Sequence, residues 1–588
     1  MKQIKKRNRK KNLPLKLVAF FVFILCVFSF VFSILLTKKN RKEFSTLHID
    51  QGLPKPQCNV KASFHTNAFD LSFENAKSDV TIYYTTDGSE PSLSSKRYTV
   101  PVRIEDRTRE RNKLSLLPTS PRWKPPIGNV QKGTVVRAIS VNKKNEKSEE
   151  FVKTFFITEK GGNRYSVPVI ALTINEKHLF GYKQGIYVLG KSYVDKDNYI
   201  RKRLPLDLPW WEYPSNYLWR GSDSERPAHI EFMEPLEKNG FIAKVGVRIH
   251  GNATRGFAQK SLRICFRNEY GQTELNYDLF ATGKVTKHNS FILRNSGNDW
   301  EKTMFRDAFM QDLMKGSHLD IQEYRPSVVF INGEYWGVHN IRERFDENYL
   351  ANKYHISRDR IVILELSGKI DFGDKEDEES FSVLLDFVKE NDLSKQEYYE
   401  HVLKKIDVKS LTDFIIANVY FCNSDWPNNN VKFWRYKVIP EMTETGPKDG
   451  RWRWMLYDTD WGFGYNSMSE PSSDLLAKAT KVGSIGVLFS ALLKNKDFKK
   501  EFLDRFQYHL NTTFRPSDCI KKIEKFKTGI ASEIPEHIDR WRAIDGYGKW
   551  LLNIEVMKNF AQKRPQAQAD QLNAFFHLTG AEQISIEK

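Results

Sequence analysis

The sequence predicts an α+β protein in three consecutive parts: one N-terminal transmembrane helix, a small all-β sandwich, and a larger mixed domain that turns helical toward its end. Three observations carry this. Residues 17–36 are uninterruptedly apolar, residues 80–158 show β-branched and aromatic runs broken by turn residues, and residues 380–425 and 485–577 carry apolar side chains at helical spacing. A chain of 588 residues exceeds what one core accommodates, so roughly two to four domains are expected.

Composition narrows the class. Hydrophobic residues at 40% and aromatics at 13% exclude general disorder. The formal charge of +19 suggests nucleic acid at first sight, but residues 1–42 alone hold 12 Lys and Arg and no acid, leaving about +7 for everything after. No basic repeat with interleaved aromatics follows, so nucleic-acid binding is not expected. The run at 17–36, LVAFFVFILCVFSFVFSILL, is 20 residues long, which at helical rise matches a bilayer core of about 30 Å. A cleaved signal peptide would carry a shorter apolar part and a small-x-small site; here Thr37-Lys-Lys-Asn-Arg-Lys42 follows instead. The heavier basic flank, residues 1–16, predicts a cytoplasmic tail and an extracytoplasmic remainder. Of five cysteines, Cys26 falls in the span, and Cys58, Cys265, Cys422 and Cys519 show no C-x-x-C spacing. They read as buried free thiols rather than a zinc or redox site, with a disulfide among them left open.

The parts follow in order. Residues 43–59, polar with Pro54 and Pro56, form a linker. Residues 60–158 read as the sandwich: Val80-Thr-Ile-Tyr-Tyr84 stops at Thr86-Asp-Gly-Ser89, and Thr134 to Ile139 and Phe151 to Thr158 are later strands. Tyr83-Tyr-Thr-Thr-Asp-Gly-Ser-Glu-Pro91, Ser94-Ser95 with Tyr98, and Val136-Arg-Ala-Ile139 resemble the chitobiase/β-hexosaminidase C-terminal type of immunoglobulin-like module, which implies a spacer or a cell-surface glycan contact. After Gly161-Gly162, Val167 to Thr173 and Gly185 to Val188 are expected strands, and residues 190–228, rich in Trp and Pro, a long surface insertion. Strands resume over 229–350 with a helix at about 300–315. Arg325 to Gly333 and Glu334 to Ile341 form a strand, Asn-Gly turn and strand.

Two carboxylate clusters stand out against this background. Asn423-Ser-Asp425-Trp-Pro-Asn-Asn-Asn430 ends the apolar run Ile415 to Cys422, and Tyr457-Asp458-Thr-Asp460-Trp-Gly-Phe-Gly464 emerges from the strand Arg453 to Tyr457. Asp and Asn oxygens suit Mg2+ or Mn2+, hard cations that also bind phosphate. An acid five residues before an amide, with further acids at a glycine turn, is a layout that holds metal and nucleotide phosphate beside a hydroxyl losing its proton. Asx turns account for some of these residues without any chemistry. Gly246-Val-Arg-Ile-His-Gly251, the loop containing Arg255, and Gln259-Lys260-Ser261 would fold a loop and an ammonium over a polyphosphate, though a hairpin with a surface lysine has the same pattern. In the helix Phe305-Arg306-Asp307-Ala-Phe-Met-Gln-Asp312 either acid would orient Lys260 or face solvent.

These stretches, together with Leu293-Arg-Asn-Ser-Gly-Asn298, Gly333-Glu-Tyr-Trp-Gly337 and Arg342-Glu-Arg344, run in the order of the CotH (spore-coat protein H) kinase family, an atypical branch of the protein-kinase-like fold. The chain resembles that family over about residues 165–470, with Phe560-Ala-Gln-Lys-Arg-Pro565 as an extension. The resemblance implies an atypical kinase-like domain at 165–480 with a helical extension at 481–588, using ATP with Mg2+ or Mn2+. It implies Asp425 as the catalytic-loop aspartate that accepts or orients the substrate hydroxyl proton, and Asn430 with Asp458 or Asp460 as metal ligands. Lys260, with Arg255 and Asp307, would lie at the nucleotide phosphates. H-R-D, D-F-G and A-P-E are lacking; Asn423-Ser-Asp425 and Asp460-Trp-Gly462 stand nearest to them, which leaves the choice between Asp458 and Asp460 open. The expectation is therefore a single-pass membrane protein kinase acting on Ser or Thr of surface or coat proteins. Its rival is an inactive cell-surface scaffold binding glycan or metal.

Overall fold

The computed structural model describes residues 53–74, 79–194, 197, 208–237, 240–283, 287–438 and 445–587. The expected tail and membrane helix at 1–36 lie outside the described residues, and among those described no helix is long and apolar enough to cross a membrane.

The first part is β-rich. Its main sheet has five strands in the order Phe64–His65, Phe151–Ile157, Thr134–Asn142, Val80–Thr85, Lys96–Arg97, accompanied by two short pairs, Gln57–Cys58 with Phe73–Glu74 and Phe69–Leu71 with Val102–Ile104. Pairing thus starts at Gln57, inside the expected linker. Leu71, Ile82, Val136 and Phe155 form its separate core. The Asp87-Gly88 turn is structural: Asp87 Oδ1 accepts from Ser89 N at 3.0 Å, and Gly88 takes a left-handed φ of 83°.

A closed barrel follows. Its strands are β1 (Val169–Ile174), β2 (Arg226–Met233), β3 (Phe241–His250), β4 (Ser261–Cys265), β5 (Ser290–Arg294), β6 (Tyr324–Ile331) and β7 (Glu334–Glu343), paired in the order β1-β2-β3-β4-β5-β7-β6, with β6 returning parallel to β1. The β6–β7 hairpin turns at Asn332 and Gly333, both at positive φ, as an Asn-Gly pair favours. Period-two alternation sends Val247, Ile249, Leu262, Ile264, Phe291, Leu293 and Ile341 into the interior. The register opposes Arg248 to Arg263, Arg263 and Arg342 to Ile292, and Arg294 to Asn340, so four arginines share the outer face. Gly185 to Val188 is not a strand. The backbone there turns back on itself, with Gly185 N on Gly181 O and Tyr187 N on Leu179 O, and its apolar residues are buried as a turn rather than paired as a strand.

The chain then becomes helical. The helix expected at 300–315 is a short α1 (Arg306–Leu313) preceded by a 3-10 turn, Gly297–Glu301. Buried Asp299 explains the break: its carboxylate accepts from Phe305 N, Arg306 N and Arg306 Nε at about 3 Å, capping α1 from the preceding turn. A second sheet of β8 (Ile361–Glu365), β9 (Lys369–Phe372), β10 (Lys432–Tyr436) and β11 (Arg453–Met455), in the order β9-β8-β10-β11, packs among α2 (Lys375–Glu390), α3 (Gln396–Leu403) and α4 (Val408–Tyr420). The last segment holds α5 (Gly483–Leu492), α6 (Lys496–Asn511), α7 (Pro516–Ile530), α8 (Ile534–Trp541) and the 31-residue α9 (Gly546–Phe576). Barrel and helices share one continuous apolar core. Within it, the guanidinium of Arg564 on α9 donates to Val419 O and Tyr420 O at the C-terminus of α4 and to Pro471 O and Ser473 O, at 2.8–2.9 Å. These carbonyls lie at a helix end and in an irregular segment, where backbone donors are scarce; Val419 O otherwise takes a long bond from Cys422 N.

Two barrel carboxylates hold the sandwich. Glu231 on β2 accepts from Thr154 N and Ser63 Oγ at 2.8 Å; Glu334 on β7 accepts from Lys113 N, Leu114 N and Ser115 N at 2.6–3.2 Å. Phe156 also packs on Phe330, ring centroids 4.6 Å apart. Glu334→Ala strands three amides at this joint and is expected to lower unfolding free energy by about 2–4 kcal/mol, with Glu334→Gln losing less, read from urea midpoints of the full chain.

Candidate functional site

The site forms where α4 and β11 deliver their loops to the outer face of the barrel. After α4 the chain reverses at Cys422 (φ 51°), and buried Asn423 fastens the reversal to Asn418 through its backbone N and its side chain. Asp425 follows, and the next residues fold back onto it. Asn429 Nδ2 donates to Asp425 Oδ1 at 2.8 Å, and Asn430 Nδ2 to Asp425 Oδ2 at 3.0 Å. The same Asn430 amide donates to Asp458 O at 3.0 Å, so three of the residues singled out in sequence meet at one point. Ser424 donates through its N and Oγ to Trp461 O, and Lys478 Nζ to Ser424 O at 2.9 Å. The nearby charge of Asp425 partly offsets the burial that lowers the Lys478 pKa.

The second loop separates its two acids. Asp458, at φ 54°, is about one-third exposed, while Asp460 is fully buried. Asp460 Oδ2 accepts from Arg294 Nη2 and Asn298 N, both at 2.9 Å, and Oδ1 from Asn298 Nδ2 at 3.3 Å. Arg294 Nη2 also reaches Asp458 Oδ1 at 2.5 Å, bridging the pair. Burial, reinforced by Asp458 next to it, holds the Asp460 carboxyl above the usual range despite Arg294. Burial acts against the Arg294 charge too, but Asp458, Asp307 and Asp460 together raise its pKa.

Asp307 belongs to the same joint by another route. Its carboxylate accepts from Thr459 N at 2.9 Å and pairs with Arg342 at 3.2 Å. Against the burial that would raise it, Arg342 and Arg294 hold its pKa at about 2. It orients the loop and Arg342, not Lys260 as the sequence suggested. Arg306 likewise pairs with Asp299 and donates to Phe463 O.

Lys260 and Arg255, expected at the phosphates, are both turned into their own loop. Lys260 is fully buried; its ammonium donates to Arg255 O at 2.7 Å and Phe257 O at 2.8 Å and lies 3.9 Å from the Tyr217 ring centroid. Burial, then Arg255, pushes its pKa well down, with the two carbonyls and the ring face as the counterweight. The Arg255 guanidinium donates to Gly251, Tyr217, Trp219 and Ile249 carbonyls at 2.7–3.1 Å. The Trp-rich stretch expected on the surface covers this loop: Tyr217 is buried and Trp210 stacks on Phe257. The hydrogen bonds of both side chains stay within that loop and its cover, away from Asp425, Asn430, Asp458 and Asp460. Arg294 and Asn298 lie in the stretch Leu293 to Asn298 that the sequence singled out without giving either residue a role. Their signal was an arginine ending a strand directly before Asn-Ser-Gly-Asn.

Among the described residues no group of three or more His, Cys, Asp or Glu is disposed to hold a metal. The donor set at the loops is smaller and oxygen-only. Asn430 commits its Nδ2 to Asp425 and to the Asp458 carbonyl, which leaves its Oδ1 out of those two bonds, and Asp458 meets Arg294 through Oδ1. Such a set suits Mg2+, which is commonly bound by one or two carboxylates plus substrate phosphates and water. Among the described residues four cysteines are free, the buried Cys265, Cys422 and Cys519 and the half-buried Cys58.

The chain is thus a mixed α+β protein with a β-rich N-terminal region, a helical C-terminal region and an Asp/Asn site on paired loops between them. Residues 247–567 match the family described as CotH kinase protein, and residues 71–155 match the Fn3-associated module. The chain belongs to the CotH kinase family. No curated protein matches it.

Two outcomes test this geometry. Lys260→Met should lower unfolding free energy by about 2 kcal/mol by stranding two buried carbonyls, seen in urea midpoints; a lysine reaching outward would leave stability unchanged. Burial lifts the Glu343 carboxyl on β7 from 4.5 to about 7. The fold therefore retains a proton the unfolded chain has lost, and stability falls as pH rises from 4.5 to 7. Glu343→Gln should remove up to about 3 kcal/mol of that slope, measured as the difference from wild type across the window.

Proposed function

We propose that the chain is an atypical protein kinase that transfers the γ-phosphoryl group of ATP to Ser or Thr hydroxyls of surface or coat proteins. The observation that carries this is the hydrogen-bonded set Asp425, Asn430 and Asp458, within a chain of the CotH kinase family. Asp425 is held by two amides with its carboxylate at the loop surface, where it accepts the proton as the hydroxyl oxygen bonds to phosphorus and the bond to the ADP oxygen breaks. Asn430 and Asp458 are the residues that would hold Mg2+ or Mn2+, which when bound neutralises phosphate charge. Asp460 serves to anchor Arg294, and Arg294 in turn stands beside Asp458 as the cation nearest the phosphates, the place expected for Lys260. Lys478, bonded to the carbonyl before Asp425, adds positive charge on the other side.

Residues 17–36 would anchor this kinase in a membrane with its N-terminus cytoplasmic and its bulk outside, where the sandwich would meet a cell-surface glycan. On that side ATP is scarce, so the reading requires delivered nucleotide or the opposite topology. A specific observation favours a second reading, a catalytically inactive scaffold: Lys260 is sealed in its loop and Asp460 is closed off by Arg294.

The detergent-solubilised full chain is incubated with labelled ATP, Mg2+ or Mn2+, and a serine- and threonine-rich protein. Label should appear on the hydroxyls, and Asp425→Ala should reduce the rate at least about 100-fold while leaving nucleotide binding, followed by melting-temperature shift, largely intact. Absence of nucleotide binding and of transfer with either metal rejects the kinase in favour of the scaffold.

A further inference from the structure

Protein kinases generally neutralise the nucleotide phosphates with two divalent ions, one on an aspartate and one on the catalytic-loop asparagine. The kinase reading given above is the basis for asking how many this site takes. Both oxygens of Asp460 are already engaged, by Arg294 and by the backbone and side chain of Asn298, and the carboxylate has no exposure. The space beside it is closed as well. A Cβ on Gly297 would come within 2.1 Å of Asp460 Oδ2 and 2.4 Å of Arg294 Nη2, so the loop backbone already rests against the pair. Asp458 differs: about one-third exposed, it gives Oδ1 to Arg294, while its backbone carbonyl accepts from Asn430 Nδ2 and so holds the two residues together. The gap that a second ion would bridge between the two acids is filled by the guanidinium itself.

We infer that this site takes a single divalent cation, at Asp458 and Asn430, and that Arg294 is the second positive charge, supplied permanently by the protein. Two further features fit. Arg294 leaves from the end of β5 on the same outer face as Arg248, Arg263 and Arg342, so the strand register fixes the position of its charge. Arginine cannot be deprotonated at ordinary pH, so that charge is always present.

The test counts ions by electron paramagnetic resonance, using Mn2+ and stoichiometric adenylyl imidodiphosphate with the full chain in detergent. Wild type should bind one Mn2+ per chain with an isolated six-line spectrum. Asp460→Asn should still bind one, and Asp458→Ala none tightly. Arg294→Met should take up a second ion and show the broadened signal of a spin-coupled pair, while Arg294→Lys stays at one. Nucleotide-dependent melting shifts verify that each variant is folded, and the wild-type count stands even if a variant is not. Two ions in wild type, loss of the ion in Asp460→Asn, or a folded Arg294→Met that remains at one overturns the inference and leaves the kinase reading standing. Wild type binding no Mn2+ with nucleotide overturns both.

Discussion

Asp460 has no contact with water, and a carboxylate so placed persists only with partners that replace its hydration. Arg294 supplies the charge and Asn298 the remaining donors, and all three reside on different parts of the fold: a helical-region loop, a barrel strand and the turn after it. Two other buried pairs repeat the pattern. Asp307 with Arg342, and Asp299 with Arg306, tie the short helix α1 to the barrel and to Thr459 and Phe463 of the same loop. Removing one member of such a pair leaves a bare charge in the interior, which is far more damaging than the modest net value of the intact pair. The relation between barrel and helices is therefore fixed at the site, where an error of orientation would separate charges.

The loops pay for this closeness in backbone strain. Cys422, Asn430, Asp458 and Phe463 all adopt left-handed φ between 51° and 60° without being glycine. Each costs roughly 1–2 kcal/mol for an L-residue, less for Asn and Asp. The surroundings hold them there: Phe463 N donates to Phe421 O, and Phe463 packs on Phe309 and Phe560. Strained residues gathered at one place are usual where a site must present several groups at once.

Much of this arrangement was legible in the sequence because its cause is local. The Asn332-Gly333 turn, the strand periodicity around it, and the Asp-to-Asn spacing of 425 and 430 follow from neighbours a few residues away. What failed to show depends on distant partners. Lys260 reads as an exposed loop cation until the Trp-rich stretch closes over it, and its burial is decided by Tyr217, far away in the chain. Gly185 to Val188 has a strand's composition, but its backbone donors are taken by Gly181 and Leu179. Arg294 is one of many strand-end arginines in the sequence. Only the closed barrel, with Arg294 opposite Asn340 and next to the loop of Asp460, gives it a distinct place.

Glu231 and Glu334 lend a last consequence. Because these two carboxylates grip the sandwich through its own backbone amides, at points on different barrel strands, the joint resists rotation as well as separation. The sandwich is then a handle: a pull or a twist applied to it is passed to the barrel whole, and with it to the loops that carry Asp425 and Asp458.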